Sequence, residues 1–503
     1  MAIAAASLAS AAGGPVARKP NIVYILADDL GYGDVRCFNA QGKIATPHLD
    51  RLAAAGLRCT DTHSGSAVCT PTRYGILTGR YSWRSALKSG VLNGYSDRLI
   101  EPGRQTVPAF LHQQGYRTAC VGKWHLGMEW PRGKGDRTEN IKSGWEVDYG
   151  RPIVNGPLSV GFDAYFGISA SLDMPPYVFI RGDRTVGIPT VEKTYVRKGP
   201  AAADFEAIDV LPALAREAAS FIESNAEAAR GGKPFFLYVP LAAPHAPILP
   251  TAEWRGKSGL NDYGDFVMQV DDAVGRIVAS LESSGLADDT LVIFTSDNGC
   301  SPVAKYPELL AKGHDPSAGY RGTKADIFEG GHRVPFIVRW PGTVKPGTVS
   351  DQLVCLTDLF ATCAEIVGTS LASSAAEDSI SFLPILLGTG NGAARTSIVH
   401  HSINGSFAIR EGSWKLIFCP DSGGWSPPRP GSDEAKGLPP VQLYDLSKDR
   451  AERRNLQAEH PEIVARLTRQ IEQFIADGRS TPGAPQHNDG APIVLIKRNQ
   501  KTP

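Results

Sequence analysis

Short, unbroken apolar runs alternate along this chain with longer segments in which apolar residues recur every three or four positions. Ile22 to Leu26, Thr118 to Val121, Phe235 to Val239 and Leu291 to Thr295 are runs of the first kind, and Leu57 to Thr60 is a shorter strand-like run that includes Arg58. Runs without apolar–polar alternation suit strands covered on both faces, as in a parallel sheet. Between them the period changes to a helical one. Thr46-Pro47 to Ala55 has a capping threonine, a proline for the first turn and a terminating Gly56. Thr106 to Gln114 repeats the device and stops at Gly115, and Leu211 to Ala229 and Tyr263 to Ser283 are longer helical patterns. The alternation predicts an α/β fold with a large, mostly parallel sheet flanked by helices.

After about Ser370 the texture changes. Phe407 to Phe418 reads as a hairpin turning at Glu411-Gly412, Val441 to Leu446 as another short strand, and Pro461 to Ile475 as a closing helix. The stretch from Pro420 to Pro440, rich in Gly, Pro and Ser, reads as a loop. The expected organisation is a leader over residues 1–18, a catalytic domain over 19–370 and a smaller antiparallel-sheet subdomain over 371–503.

Each buried run ends in polar residues. The first stops at Asp28-Asp29, the second at Gly122-Lys123-Trp124-His125, the third at Pro244-His245-Ala246-Pro247 and the fourth at Ser296-Asp297-Asn298-Gly299; Leu57 to Thr60 precedes the loop that delivers Cys69. Ligands of open α/β sheets bind beyond the carboxyl ends of the strands. Five strands therefore carry Asp, Asn, Lys, His and Cys to one edge of one sheet.

Composition narrows the classes of function. Lys+Arg and Asp+Glu both number 52, so no global field draws in nucleic acid or an acidic membrane. No apolar run reaches transmembrane length. Met1 to Val16 is rich in Ala, Ser and Gly, without a basic residue before Arg18. Its Ala-Ser-Ala-Ala reads as the remnant of a secretory signal, which would place the protein in the periplasm or outside the cell; a plain flexible leader would leave a cytoplasmic location open. Eight cysteines, with Cys69 set aside for chemistry, leave an odd number, so at least one thiol lacks an intrachain partner.

Asp28, Asp29, Asp297 and Asn298 supply three carboxylates and an amide oxygen, hard donors suited to Ca²⁺ or Mg²⁺. An Asp-Asp pair alone is equally well a turn, and Lys-x-His alone reads better as a surface feature. Asp173, His314 and Asp315 could line a substrate pocket. His48, His112 and His460 fall in helical patterns and read as packing or surface residues, while His400-His401 stays unassigned.

Cys69-Thr70-Pro71-Thr72-Arg73, followed by Thr78-Gly79-Arg80, resembles the C-x-P-[ST]-R…T-G-R signature of the formylglycine-dependent sulfatases of the alkaline phosphatase superfamily. Thr72 stands where serine is commoner. Gly122 to Gly127, Pro244 to Pro247, Arg321 to Pro335 and Leu443 to Leu446 resemble further blocks of that family, so the resemblance runs from Asn21 to about Leu456. It implies that Cys69 is oxidised to formylglycine by a formylglycine-generating enzyme. One Ca²⁺ would be held by Asp28, Asp29, Asp297, Asn298 and the modified residue 69. Arg73, Lys123, His125, His245 and Lys324 would act on a sulfate monoester, a sulfated small molecule or oligosaccharide. His125 would be the partner of the hydrated aldehyde, Lys123 a sulfate-binding cation, and His245 and Lys324 would contact sulfate and help protonate the leaving alkoxide. Glu329, Arg333 and Pro335 would shape the turn before the strand at Phe336 to Trp340. A phosphonate monoester or phosphodiester hydrolase, and an inactive homologue that binds sulfated glycans, are the alternatives.

Overall fold

Asn21–Ala27 (β1) is buried at every residue and lies inside a ten-stranded sheet. The other members, in chain order, are Leu57–Cys59 (β2), Arg117–Lys123 (β3), Ala164–Ile168 (β4), Phe179–Arg181 (β5), Arg184–Val186 (β6), Phe235–Pro240 (β7), Thr290–Ser296 (β8), Phe336–Arg339 (β9) and Thr348–Ser350 (β10). Their lateral order is β10-β2-β9-β8-β1-β7-β3-β4-β5-β6. The five strands from β8 to β4 run parallel, β9 is antiparallel to both its neighbours, and β5 and β6 close the far edge as antiparallel strands. This computed structural model describes residues 18–132, 141–389 and 395–496. Of the expected leader, only Arg18 falls among them.

Because side chains alternate along a strand, β1 feeds two cores. Ile22, Tyr24 and Leu26 join Tyr238, Ile293, Tyr74 and Phe110 on one face. Val23, Ile25 and Ala27 join Leu237, Val239, Val292 and Phe294 on the other, under the long helices. The longer helices before the C-terminal sheet are Pro47–Ala54 (α1), Cys69–Thr78 (α2), Val107–Gln113 (α3), Val210–Arg230 (α4), Asp262–Ser283 (α5) and Leu359–Ile366 (α6). Thr106 caps α3 by accepting from the Ala109 N–H at 3.2 Å. Thr46 makes no such cap on α1: its hydroxyl accepts from the Arg36 N–H and faces Asp50, tying α1 to the preceding loop.

The C-terminal part holds an antiparallel sheet of Ser397–His401 (β11), Phe407–Glu411 (β12), Trp414–Ile417 (β13) and Gln442–Asp445 (β14), covered by Pro461–Ala476 (α7). Leu467 and Ile471 of α7 pack with Ile409 and Leu416. Glu411 pairs with Trp414, so the hairpin turns at Gly412-Ser413, one residue later than expected. This sheet reaches the main domain through its edge. The Ala67 N–H donates to the His401 carbonyl at 3.1 Å and the His401 N–H to the Gly65 carbonyl at 3.2 Å, which pins the loop leading into α2. All eight cysteines are free thiols. No helix among the described residues is long and apolar enough to cross a membrane.

Candidate active site

Cys69 is placed by a loop-to-helix junction. α2 opens on Cys69, ends on the left-handed Gly79, and is buried at each of its ten residues. Val68, which precedes it, offers no side-chain cap; the Thr72 hydroxyl donates to the Ser66 and Val68 carbonyls at 3.1 Å and holds the first turn shut. That bond explains why threonine serves here as well as serine. Burial pushes the Cys69 thiol up, against the pull of Lys123 and Lys324 and with a push from Asp297 and Asp28. Left as a thiol it is therefore a poor nucleophile.

The strand ends deliver the rest. Asp28 and Asp29 follow β1, Lys123 closes β3, and Asp297 and Asn298 follow β8, all buried. Lys123 Nζ lies 2.7 Å from Asp28 Oδ2, and Arg73 donates to Asp297 Oδ2 at 2.7 Å. Lys324 Nζ spans the two oxygens of Asp29 at 2.7 and 2.8 Å. Asn298 donates its amide to Asp29 Oδ1 at 2.8 Å, which leaves its own oxygen bare. His245 Nε2 stands 3.6 Å from Asp29 Oδ2. Asp29 and His125 both adopt positive φ, 67° and 55°, backbone geometry that costs energy and recurs at functional sites.

Electrostatics separate the carboxylates. Burial alone would raise Asp28, but Lys123, His245, Arg73 and Lys324 outweigh it and hold the group well below the usual carboxylate range. Burial, and then the Asp28 charge, push Asp297 up to about 7. Burial, then Lys123 and Arg73, drive His125 far down, so its ring is neutral. Its Nε2 donates to the Leu92 carbonyl at 2.7 Å, which leaves Nδ1 as a bare acceptor with no partner in the buried site. His245 is likewise lowered, by burial and then Lys324, and its Nδ1 is used on the Ala246 carbonyl at 2.6 Å.

The donor set fits a hard divalent cation. Asp28 Oδ1 and Asn298 Oδ1 are buried oxygens without a hydrogen-bond partner, a costly state that a cation would relieve. Ligand atoms of Asp28, Asp29 and His245 lie within 4.8 Å of one another, and Asp297 closes the far side through Arg73 and the Asp29 N–H.

The structure does not bring every pocket residue expected from the sequence to this cluster. His314 is fully buried; its Nε2 lies on Asp34 at 2.8 Å and its Nδ1 accepts from the Lys43 N–H. Asp315 accepts from Tyr306 and from the N–H groups of Ser317 and Gly319, which fixes a turn. Asp173 differs from both. Oδ2 pairs with Arg197 at 2.8 Å while Oδ1 is buried and bare. Glu329 and Arg333 brace each other at 3.0 Å, and Arg333 reaches Asp61 at 2.7 Å. The Leu92 carbonyl and the bare hydroxyls of Ser169 and Ser171 went unnoticed in the sequence. The first is a main-chain atom, and serines carry no distinctive spacing.

Known proteins share this architecture. The Sulfatase family model matches residues 20–369. An N-acetylgalactosamine-6-O-sulfatase of Bacteroides thetaiotaomicron is 35% identical over 505 aligned positions, covering 91% of this chain and 94% of the relative. Human arylsulfatase A is 35% identical over 472, covering 89% of this chain and 85% of its own. A solved Bacteroides thetaiotaomicron structure from work on the metabolism of multiple glycosaminoglycans superposes with a TM-score of 0.79 at 34% identity, over 91% of this chain and 99% of that one. On the strand-end cluster and these matches together, the chain belongs to the sulfatase family and is a sulfuric ester hydrolase.

Proposed function

We propose that the protein releases sulfate from a sulfated amino sugar, with N-acetylgalactosamine 6-sulfate the first substrate to try, and that residue 69 acts as formylglycine after oxidation of Cys69 by a formylglycine-generating enzyme. The reading is carried by one observation: the buried first residue of α2 lies among Lys123, Lys324, Asp297 and Asp28, charges that its own thiol feels. The sugar follows the name of the Bacteroides thetaiotaomicron relative.

As a hydrated aldehyde, residue 69 would supply one hydroxyl for attack on sulfur and a second through which sulfate could later be expelled. Asp28, Asp29, Asp297 and Asn298 would hold a Ca²⁺ ion, which would supply positive charge to the site. Arg73 keeps Asp297 in place from behind. Lys123 and Lys324 place two cations where the charge of the transferred sulfuryl group develops, an electrostatic task that a dry, prearranged site does well. His125 has its proton on Nε2, so Nδ1 is the atom that accepts the proton of the residual hydroxyl when sulfate departs. At the leaving oxygen, His245 has its hydrogen-bearing nitrogen turned to Ala246, and against burial the Asp29 carboxylate pushes the Lys324 ammonium up, so Lys324 would serve there as a fixed positive charge.

The test is sulfate release from a panel of positional sulfate isomers of galactose, N-acetylgalactosamine and glucosamine, using enzyme with residue 69 converted. Turnover of the 6-sulfated N-acetyl sugar, lost in Cys69→Ala, is the expected result. Activity that survives Cys69→Ala removes residue 69 from the chemistry, and preference for a phosphonate monoester removes sulfate as the substrate.

A further inference from the structure

Beside the cluster lies a pocket of about 370 Å³, walled by the turns at Asn93–Tyr95 and Lys142–Trp145, by Met174 and by Arg197. Its position ties it to the chemistry. The Leu92 N–H donates to Thr70 Oγ1 at 3.2 Å and the Leu92 carbonyl holds His125, so the Asn93 wall is one residue from main chain touching both the neighbour of Cys69 and the ring of His125. Met174 is one residue from Asp173, and Arg197 reaches from the pocket to Asp173 Oδ2 while its side chain stays half exposed.

The walls are braced without any occupant. A Cβ on Gly94 would lie 1.9 Å from the Pro175 carbonyl oxygen, and a Cβ on Gly144, at φ +83°, would lie 1.9 Å from the Tyr95 hydroxyl. Trp130 donates to the Gly94 carbonyl and Tyr149 to the Gly144 carbonyl, both at 2.9 Å. Only glycine permits these approaches, and the result is a fixed turn that presents Trp145. That indole is 48% exposed and is the one aromatic among the exposed large hydrophobic side chains of the described residues. A large apolar ring kept in water on a rigid turn is informative in a way that a scattered leucine is not. Charge adds a second signal. Lys142, Arg197 and Lys198 line the pocket against Glu192, which Lys198 binds at 2.7 Å. Even with Asp173 set against Arg197, positive charge is in surplus.

We propose that this pocket is a subsite for the saccharide next to the sulfated sugar, with Trp145 under the sugar ring and Lys142 and Arg197 on an anionic group that it carries, a sulfate or a carboxylate. The assignment rests on the sulfated-sugar reading above and adds a preference for acidic oligosaccharides over single sugars. Preformed walls make such a preference appear as a lower KM, since little has to be ordered on binding.

The experiment compares four probes on the converted enzyme: N-acetylgalactosamine 6-sulfate, and the same sulfated sugar linked to glucuronate, to a second sulfated sugar, or to neutral galactose. Nitrocatechol sulfate, too small to reach the pocket, is the control. The expected result is a kcat/KM higher by about tenfold or more for at least one acidic disaccharide than for the single sugar, carried by KM. An aromatic or charged contact of this kind contributes about 1 kcal/mol; Trp145→Ala and Lys142→Ala should each therefore remove most of the advantage, about three- to tenfold, and leave nitrocatechol sulfate turnover unchanged. The glucuronate and disulfated arms identify which anion the pocket takes. Equal kcat/KM for the single sugar and both acidic disaccharides, or an advantage untouched in both variants, overturns the subsite while the sulfatase reading stands. Release from nitrocatechol sulfate with none from any sugar overturns the sugar reading and the subsite with it.

Discussion

At the carboxyl edge of the main sheet, three carboxylates, an amide and two lysines meet around oxygens that lack partners; one short loop earlier in the chain, His63 joins His332 and His400 in an equally dry cluster with a very different outcome. The three imidazoles resemble a metal site in residue type. Their geometry does not. The rings of His332 and His400 stack at 3.7 Å and 13°, so their in-plane lone pairs point along parallel planes and cannot converge on one ion. The Lys415 ammonium stands 3.0 Å from His332 Nε2. Close polar contacts link the set: Lys415 Nζ with His332 Nε2, His332 Nδ1 with His63 Nδ1 at 3.0 Å, and His63 Nε2 with Asp61 at 2.8 Å, while the Ile327 carbonyl and Arg410 also approach His332 Nε2 and His63 Nε2, each at 3.2 Å. His400 Nδ1 donates to the Ser64 carbonyl at 3.1 Å, leaving its Nε2 as the bare nitrogen of the set. This cluster clamps the loop that delivers Cys69 between the main domain and the C-terminal sheet. At the sheet edge, by contrast, Asp28 Oδ1, Asn298 Oδ1 and His125 Nδ1 are buried atoms without a hydrogen-bond partner, and Arg73 stands 3.5 Å from the first. The lesson is that leftover lone pairs which can converge mark chemistry, and residue type alone does not.

The comparison breaks most easily at Asp297. Asp297→Ala, or chelation of the wild type, should lower sulfate-ester turnover on the order of 10³-fold, as expected when prearranged charge stabilisation is removed. Restored activity on adding Ca²⁺ to the chelated wild type, and not to the variant, checks the cause. Activity indifferent to chelation would end the metal assignment. Next in size, His125→Ala should cost about 10²- to 10³-fold, the scale of a lost general base. Burst kinetics locate the loss: it should fall on sulfate release and leave the first turnover largely intact. A slow first turnover would place His125 elsewhere in the cycle.

In the clamp the order of effects reverses. Lys415 lies between Glu329 at 3.1 Å and Glu452 at 2.8 Å, all three side chains fully buried. Lys415→Met leaves buried Glu452 without its cationic partner and Glu329 with Arg333 alone, so stability should fall by about 3–5 kcal/mol, read as the denaturant midpoint. Turnover of the remaining folded enzyme should fall by far less than in Asp297→Ala. A variant that melts normally but has lost turnover would make Lys415 part of the chemistry. The smallest effect is on pH. Burial, followed by neighbouring positive charge, drives His332 and His400 well below the ordinary histidine value, and burial lowers His63 as well. The unfolded chain therefore binds protons that the native clamp refuses. Stability is complete above the ordinary histidine pKa of about 6.5 and is lost as pH falls below it. His400→Phe keeps the stack and removes one titrating group, so the acid side of the Tm profile should become shallower. An unchanged slope would show that His400 takes no part in it.

Most of the sheet edge was legible in the sequence because the central strands are mainly apolar runs that stop at charged or amide side chains, and the carboxyl-end rule supplies the convergence. The lateral order was not. Nothing in Phe336–Arg339 announces an antiparallel strand between β2 and β8. The clamp was illegible for a related reason. His63, His332 and His400 come from two strands and a short helix far apart in the chain and are joined only by tertiary contact. His314, expected from its place before Lys324 to line a substrate pocket, has its ring on Asp34, a contact that no spacing in the sequence announces. The Trp145 turn depends on glycines set against Tyr95 and Pro175, contacts that no local pattern encodes.

The central claim, that residue 69 acts as formylglycine at the oxygen-rich edge, is tested most directly by activity as a function of conversion. Preparations with different degrees of oxidation at residue 69 can be made by varying co-expression of a formylglycine-generating enzyme. Peptide mass analysis gives the converted fraction, and sulfate release from nitrocatechol sulfate gives the rate. The account predicts a rate proportional to the converted fraction, extrapolating to zero for unconverted Cys69. A rate independent of that fraction, or substantial turnover by fully unconverted enzyme, would contradict it.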